Sequence, residues 1–333
     1  MSNSNSKKSV IAAIWANAFV MVAKFIAFAF TGSGAMLSEA IHTLADLMNQ
    51  ILLLVGMVRA TRDSDNKFEY GYGGERYVWA LISAVGIFFL GCGVTVYHGV
   101  NSLLHPPEQL HTDWTWAIVV LLVSASFEGY VLYVAVRGVK QDSEGAPFFR
   151  YLKREADPSA VAVILEDSAA CLGVGIALLA ILLTKITGAY YWDSIGSIVI
   201  GCLLGLIAIW LIARNHQLLV GPSIPPRIRT QILAILDANP TVEKVIDFRS
   251  RMIDNETYRI KADIRFDGSE LARRKQEDLK QAYEEITNFE EFEKFVIQYS
   301  DDLIEHLGDE IDAIEEEIQR QVPKAQYLDL EAD

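Results

Sequence analysis

The sequence predicts an all-α membrane domain of six transmembrane helices, followed by a small α+β cytoplasmic C-terminal domain. Three observations predict it. Apolar residues make up 51% of the 333-residue chain although 22% are charged, so the two kinds are segregated. Six apolar runs of roughly 20 residues, the length that crosses a bilayer core, lie before residue 220, whereas most acids lie after it. Basic residues flank alternate ends of those runs, as they do in polytopic membrane proteins.

The spacing places spans at 9–31, 34–60, 76–104, 113–138, 160–186 and 192–214 of a membrane domain over 1–215. Thr31-Gly32-Ser33-Gly34 reads as a tight turn between the first two. If all six runs cross, Lys7, Lys8, Arg59, Arg62, Lys67, Arg76, Arg137, Lys140, Arg150, Lys153, Arg154 and Arg214 share one side. The opposite links, 31–34, 105–112 and 187–191, carry no Lys or Arg, and only Lys185 lies near them. The positive-inside rule then puts both termini in the cytoplasm. Met1 to Ser9 is polar, and the apolar run after it is too long for a signal-peptide core. The first helix is therefore expected to stay. The lack of a transit peptide and the short length suit a bacterial inner membrane.

The formal net charge of −14 sits mainly in residues 216–333. It argues against nucleic acid and anionic lipid as partners of that domain, and suits repulsion between copies that a cation relieves. Cys92, Cys171 and Cys202 all fall in apolar runs and form neither a disulfide framework nor a Cys-x-x-Cys pair. Ser197, Gly201 and Gly205 are four apart, and Gly86, Gly91 and Gly93 interrupt the third run; such residues let helix backbones approach closely in lipid.

Two spans carry ionisable groups that lipid does not tolerate idly. In the second, His42 and Asp46 are four apart and share a helix face. An imidazole and a carboxylate converging in this way make half of a tetrahedral site for a divalent metal. In the fifth, Glu166 and Asp167 interrupt an apolar run. A carboxylate there must be protonated, paired, wetted or bound to a cation. Asp167 shares a face with Cys171, while Glu166 lies about 100° around the helix.

These residues carry a resemblance. Ser38-Glu39-Ala40-Ile41-His42-Thr43-Leu44-Ala45-Asp46 resembles the His-x-x-x-Asp motif of the cation diffusion facilitator family of zinc and manganese transporters, and Asp193-Ser194-Ile195-Gly196-Ser197 resembles the start of its sixth span. Asp157-Pro158 with Leu165-Glu166-Asp167 is similar to the subgroup containing zinc transporter nine. The resemblance implies a transport site built from the second and fifth spans, proton exchange that drives export, and a dimerising C-terminal domain.

It assigns His42, Asp46 and Asp167 as metal ligands. The fourth is open, because the family's other fifth-span position falls on Val163; Glu166 and Cys171 are the weaker candidates, with water or a polar group of another helix. The cargo is zinc first, with manganese, iron or cobalt as alternatives. The family's second metal site, in the loop after the second span, keeps Asp65 but has Phe68 and Tyr72 at the histidine positions, so no tight metal is expected there.

The implied function is a proton-coupled antiporter, not an enzyme and without a resident cofactor, working as a homodimer in the bilayer. From other classes, a cation channel would want a ring of like groups around a continuous pore. A membrane metal sensor would want an output motif, and no kinase, nucleotide or DNA-reading motif is present. Tyr70-Gly71-Tyr72-Gly73-Gly74 is no phosphate loop, since it lacks a following Lys-Ser/Thr.

After Gly221-Pro222 the pattern turns soluble: a helix over 225–239, strands over 243–253 and 258–266 joined at Asp254-Asn255-Glu256, a helix capped by Ser269, and a long acidic helical stretch to Gln321 broken near Thr287-Asn288. A strand over 325–331 ends the domain. Its one histidine after Gly221-Pro222, His306, gives little ground for a regulatory metal site.

Overall fold

The computed structural model describes residues 2–106, 114–142, 158–254 and 257–333. Asp157 of the Asp157-Pro158 pair, the expected turn residues Asn255 and Glu256, the basic residues Arg150, Lys153 and Arg154, and most of the 105–112 link lie outside these. The chain divides into two compact units, Met1–Leu219 and Val220–Asp333.

The first unit is helical: α1 (Ser2–Thr31), α2 (Gly34–Ala60), α3 (Glu75–Leu104), α4 (Thr115–Asp142), α5 (Pro158–Thr187) and α6 (Tyr191–Val220). Among the described residues, five helices are long and apolar enough to cross a membrane, not the six expected. The difference lies in α1. It is 30 residues long, and the apolar stretch described for it is Asn17–Thr31.

The helix ends follow from local chemistry. Gly32, in the left-handed region at φ 63°, turns the chain between α1 and α2. Ser33 then caps α2, its Oγ accepting from the Met36 N–H at 3.1 Å. Asp193 at the start of α6 adds a second cap. Its carboxylate accepts from Ser33 Oγ at 2.5 Å, from the Gly34 N–H at 2.5 Å and from the Ala35 N–H at 3.3 Å. A carboxylate there satisfies orphan donors and complements the positive end of the helix dipole. Pro158 opens α5 at a position where no N–H is needed.

Small residues set the packing. A Cβ added at Gly201 would come within 2.7 Å of Val96, one at Gly205 within 2.8 Å of Cys92 Sγ, and one at Gly99 within 2.7 Å of Ile198. These three glycines let α3 and α6 touch backbone to backbone. Gly196 does the same for α6 on α5, since its Cβ would lie 2.5 Å from that of Ala180. The expected interruption of the third run takes the form of a π-helical stretch, Ile87–Val94, inside one unbroken helix. Gly91 and Gly93 sit in it, where weak helix propensity lets the wider turn form. Phe19, Phe30, Phe89, Leu179 and Leu206 point outward and are exposed, as apolar side chains facing lipid would be.

The second unit holds α7 (Pro226–Ala238), β1 (Val242–Met252), β2 (Tyr258–Phe266), α8 (Gly268–Arg274), α9 (Gln276–Glu285), α10 (Phe289–Gln321) and β3 (Ala325–Ala332). The sheet is mixed, in the order β1-β2-β3, with β1 antiparallel and β3 parallel to β2. Ile232 and Leu236 of α7, Ile260 and Ile264 of β2 and Ile314 and Ile318 of α10 are all buried in one core. Each such side chain contributes about 2 kcal/mol by leaving water.

One detail differs from the sequence-based expectation. The cap of α8 is Asp267, whose carboxylate accepts from the Ser269 and Glu270 N–H groups; Ser269 is inside the helix, because the acid two residues earlier reaches the free donors first. The apolar residues of α10 fall into two groups. Ile311, Ile314 and Ile318 pack on the sheet, while Phe292, Val296 and Ile304 are exposed. The break before α10 falls at Asn288, which caps it by accepting from the Glu291 N–H at 3.0 Å.

Glu310 of α10 ties its domain together. It accepts from Arg274 at 2.6 Å, Asn239 at 2.9 Å and Thr241 Oγ at 3.2 Å. Burial pushes its carboxyl up, but Asn239, Arg274 and Thr241 outweigh burial and hold it below the usual carboxylate range.

Candidate metal transport site

α2 is amphipathic in an unusual sense: its buried side carries polar groups. Ser38, Glu39, His42, Thr43 and Asn49 are all buried. His42 Nε2 stands 3.6 Å from Asp46 Oδ2, the i,i+4 approach that the spacing requires. Both ring nitrogens of His42 lack a hydrogen-bond partner. A buried imidazole with two idle nitrogens is costly unless something else uses them.

Asp167 of α5 is in the same condition, with Oδ2 buried and unpartnered. His42 and Asp46 are both within its electrostatic reach. Glu166 takes a different direction. Its Oε2 accepts from Asn49 Nδ2 at 3.1 Å, and Asn49 Oδ1 accepts from Ser83 Oγ at 2.7 Å. Glu166 thus lies one step along α2 from the His42–Asp46 pair, at the wall of a cavity of about 330 Å³ that Asn49, Met57, Arg76 and Arg214 also line. Cys171 is half-buried with a free thiol. Val163, four residues before Asp167, also lines that cavity and has no donor to offer.

His42 and Asp46 are therefore brought together, and Asp167 lies within electrostatic reach of both. Among the described residues, however, no three His, Cys, Asp or Glu side chains form a cluster that could hold a metal ion. The loop residue Asp65 is already engaged. It accepts from Tyr72 Oη at 2.7 Å and from the Lys67 and Phe68 N–H groups at 2.9 Å. The Tyr72 hydroxyl, with the two N–H groups, holds its carboxyl below the usual range. His306, in the other unit, has a buried and unpartnered Nε2, while its neighbour Glu310 is committed to Arg274.

The sequence reading singles out neither Lys24 nor Glu128, yet both belong to this region. Lys24 of α1 is wholly buried and makes ion pairs with Glu39 at 3.0 Å and with Glu128 of α4 at 3.1 Å. The signal was present: each is an isolated ionisable residue inside an apolar span. Gly173 of α5 completes the surroundings, since a Cβ there would come within 2.5 Å of Glu39 Oε1.

Residues 10–220 match the family described as "Cation efflux transmembrane domain". The chain is 37% identical over 331 residues to the human "Proton-coupled zinc antiporter SLC30A9, mitochondrial", and 36% identical over 331 residues to the mouse protein of that name. Each alignment covers 97% of this chain and 58% of the relative, so the chain spans rather more than half the length of these relatives. It is 36% identical over 344 residues to "Metal tolerance protein C4" of Arabidopsis thaliana, covering 100% of this chain and 74% of that protein. The chain is a membrane protein and belongs to the cation diffusion facilitator family.

Proposed function

We propose that this protein is a secondary transporter that exports zinc from the cytoplasm in exchange for protons. The observation that carries the reading is the pair of buried His42 and half-buried Asp46 on α2, with the unpartnered Asp167 of α5 within electrostatic reach of both. His42, Asp46 and Asp167 are the proposed ligands, with Glu166 or Cys171 closing the shell after a small movement of α5 against α2. An imidazole binds metal only when neutral, and carboxylates only when ionised, so cation and protons compete for the same atoms. A site of this kind, reached alternately from the two sides of the membrane, exchanges one for the other. The names of the mammalian relatives support both the cargo and the coupling.

The same reading includes six crossings, with α1 as the sixth, both termini in the cytoplasm of a bacterium, and a homodimer joined through the C-terminal unit. The exposed apolar residues of α10 support the last point. A second reading follows if Glu166 closes the shell: one nitrogen with three carboxylates tolerates manganese or iron as well as zinc.

The test is flux in liposomes. An exchanger moves zinc in response to an imposed pH gradient at zero voltage, and a channel follows voltage alone. His42→Ala weakens zinc uptake and flattens its pH dependence. Zinc flux indifferent to the pH gradient, or unchanged in His42→Ala, removes the reading.

A further inference from the structure

Lys24, Glu39 and Glu128 form a cluster whose hydrogen bonds can be counted to the end. An ammonium has three donors, and all three are used: on Glu39 Oε2 at 3.0 Å, Glu128 Oε1 at 3.1 Å and Thr43 Oγ at 2.9 Å. Thr43 spends its own hydroxyl hydrogen on the Glu39 carbonyl at 3.0 Å, and Ser124 donates to Glu128 Oε1 at 2.7 Å. Two oxygens are left over. Glu39 Oε1 and Glu128 Oε2 are buried and have no partner. Every donor of the cluster is consumed, so no rotation within it satisfies them.

The charges do not balance either. One ammonium meets two carboxylates, leaving a net charge of −1 among side chains that are 0%, 0% and 16% exposed. An uncompensated charge at this depth is unfavourable. A single proton on Glu39 Oε1 or Glu128 Oε2 removes the charge and supplies the missing donor at once. The groups that face the cluster are Lys24 on α1, His42 and Asp46 on α2, and Asp167 and Cys171 on α5, all within electrostatic reach of Glu39 or Glu128.

We propose that Lys24, Glu39 and Glu128 form a proton-binding site of their own, beside the metal ligands, that carries one proton of the exchange. In the empty transporter an O–H bond forms at one of the two free oxygens as a hydronium ion gives up its proton to become water. A dication arriving at His42 and Asp46 repels that proton, which returns to water. Lys24 is a positioning residue: it holds both carboxylates together and sets the charge of the cluster so that one proton neutralises it. The inference rests on the antiport reading above and adds a second seat for protons, where the metal ligands alone supplied one.

The experiment measures zinc and proton movement together in liposomes holding the full chain, with a zinc dye and a pH dye, across a pH series. Glu128→Gln makes the cluster neutral without a proton. It is expected to keep zinc-gradient-driven flux and to lose about one proton per zinc relative to the parent. Glu39→Gln is expected to do the same and serves if Glu128→Gln does not fold. The double variant Lys24→Gln/Glu128→Gln returns the cluster to −1, so its proton-to-zinc ratio rises back to that of the parent. A purely structural role for Lys24 gives the opposite result, further loss in the double variant. An unchanged ratio in Glu128→Gln, with the parent coupled, overturns the cluster alone. A parent that moves zinc without any protons overturns the antiport reading and the cluster with it.

Discussion

Gly173 of α5 faces Glu39 of α2 so closely that a Cβ on it would lie 2.5 Å from Glu39 Oε1. The other oxygen of that carboxylate is held by Lys24 at 3.0 Å, so Glu39 cannot yield without loosening its ion pair. Gly173→Ala is expected to destabilise the membrane unit by about 1–3 kcal/mol, the usual cost of overpacking, and to slow zinc flux. Gly175, two residues on, has nothing within 4 Å of its added Cβ, and Gly175→Ala should be silent. Melting temperatures in detergent, with flux in liposomes, compare the two; equal effects would mean that the close approach has no energetic weight.

The fifth helix offers two acids, and their geometry separates them. Asp167 has a free buried oxygen, whereas Glu166 is held by Asn49. Asp167→Asn is expected to reduce zinc flux at least 100-fold while leaving insertion intact, and Glu166→Gln to leave measurable transport. Zinc uptake by both variants decides the register. An active Asp167→Asn with a dead Glu166→Gln assigns the ligand to Glu166 instead.

Asp193 caps α2 from another helix, through Ser33, Gly34 and Ala35. Asp193→Asn keeps the shape but turns one acceptor into a donor that faces N–H groups. A loss of about 1–3 kcal/mol follows from leaving buried donors unsatisfied. Hydrogen exchange reads it directly, as faster exchange at residues 34–37 than in the parent.

Acid should undo the tie at Glu310. Its carboxyl is held below the ordinary value by its three donors, net of burial, so the stability it adds is complete above the unfolded-state pKa of about 4.5. That stability is lost as the pH falls through the lower folded-state value. Glu310→Gln is expected to cost about 2 kcal/mol at pH 7, the scale of charge-assisted hydrogen bonds, and to show less of the acid loss. Hydrogen exchange across α7 and α10 at pH 7 and below 4 follows both; a variant whose protection falls with acid as the parent's does removes the assignment.

Much of the architecture is legible because it is written in periodicity. Apolar runs mark α2 to α6, and alternation marks β2, whose Tyr258, Ile260, Ala262 and Ile264 point one way into the core. His42 and Asp46 are legible for the same reason, since a spacing of four fixes a shared helix face whatever surrounds it. What pattern does not carry is partnership between helices. Lys24 sits 15 residues from Glu39 and 104 from Glu128, and only packing brings the three together. The direction of Glu166 likewise depends on Asn49 and Ser83, two ordinary polar residues with no spacing to announce them. At the start of α8 near neighbours compete for the cap, and Asp267 reaches the donors before Ser269 does.

The widened stretch Ile87–Val94 in α3 separates two halves with different neighbours. Before it, Trp79 and Arg76 close on Gly56 of α2; after it, Val96 and Gly99 lie against α6. A turn carrying surplus backbone between two anchored halves is slack in a rod otherwise without any. Removing a single amino acid there should tighten the coil to ordinary pitch and leave both anchorages in phase, whereas the same deletion elsewhere in α3 would swing one half away from its neighbour.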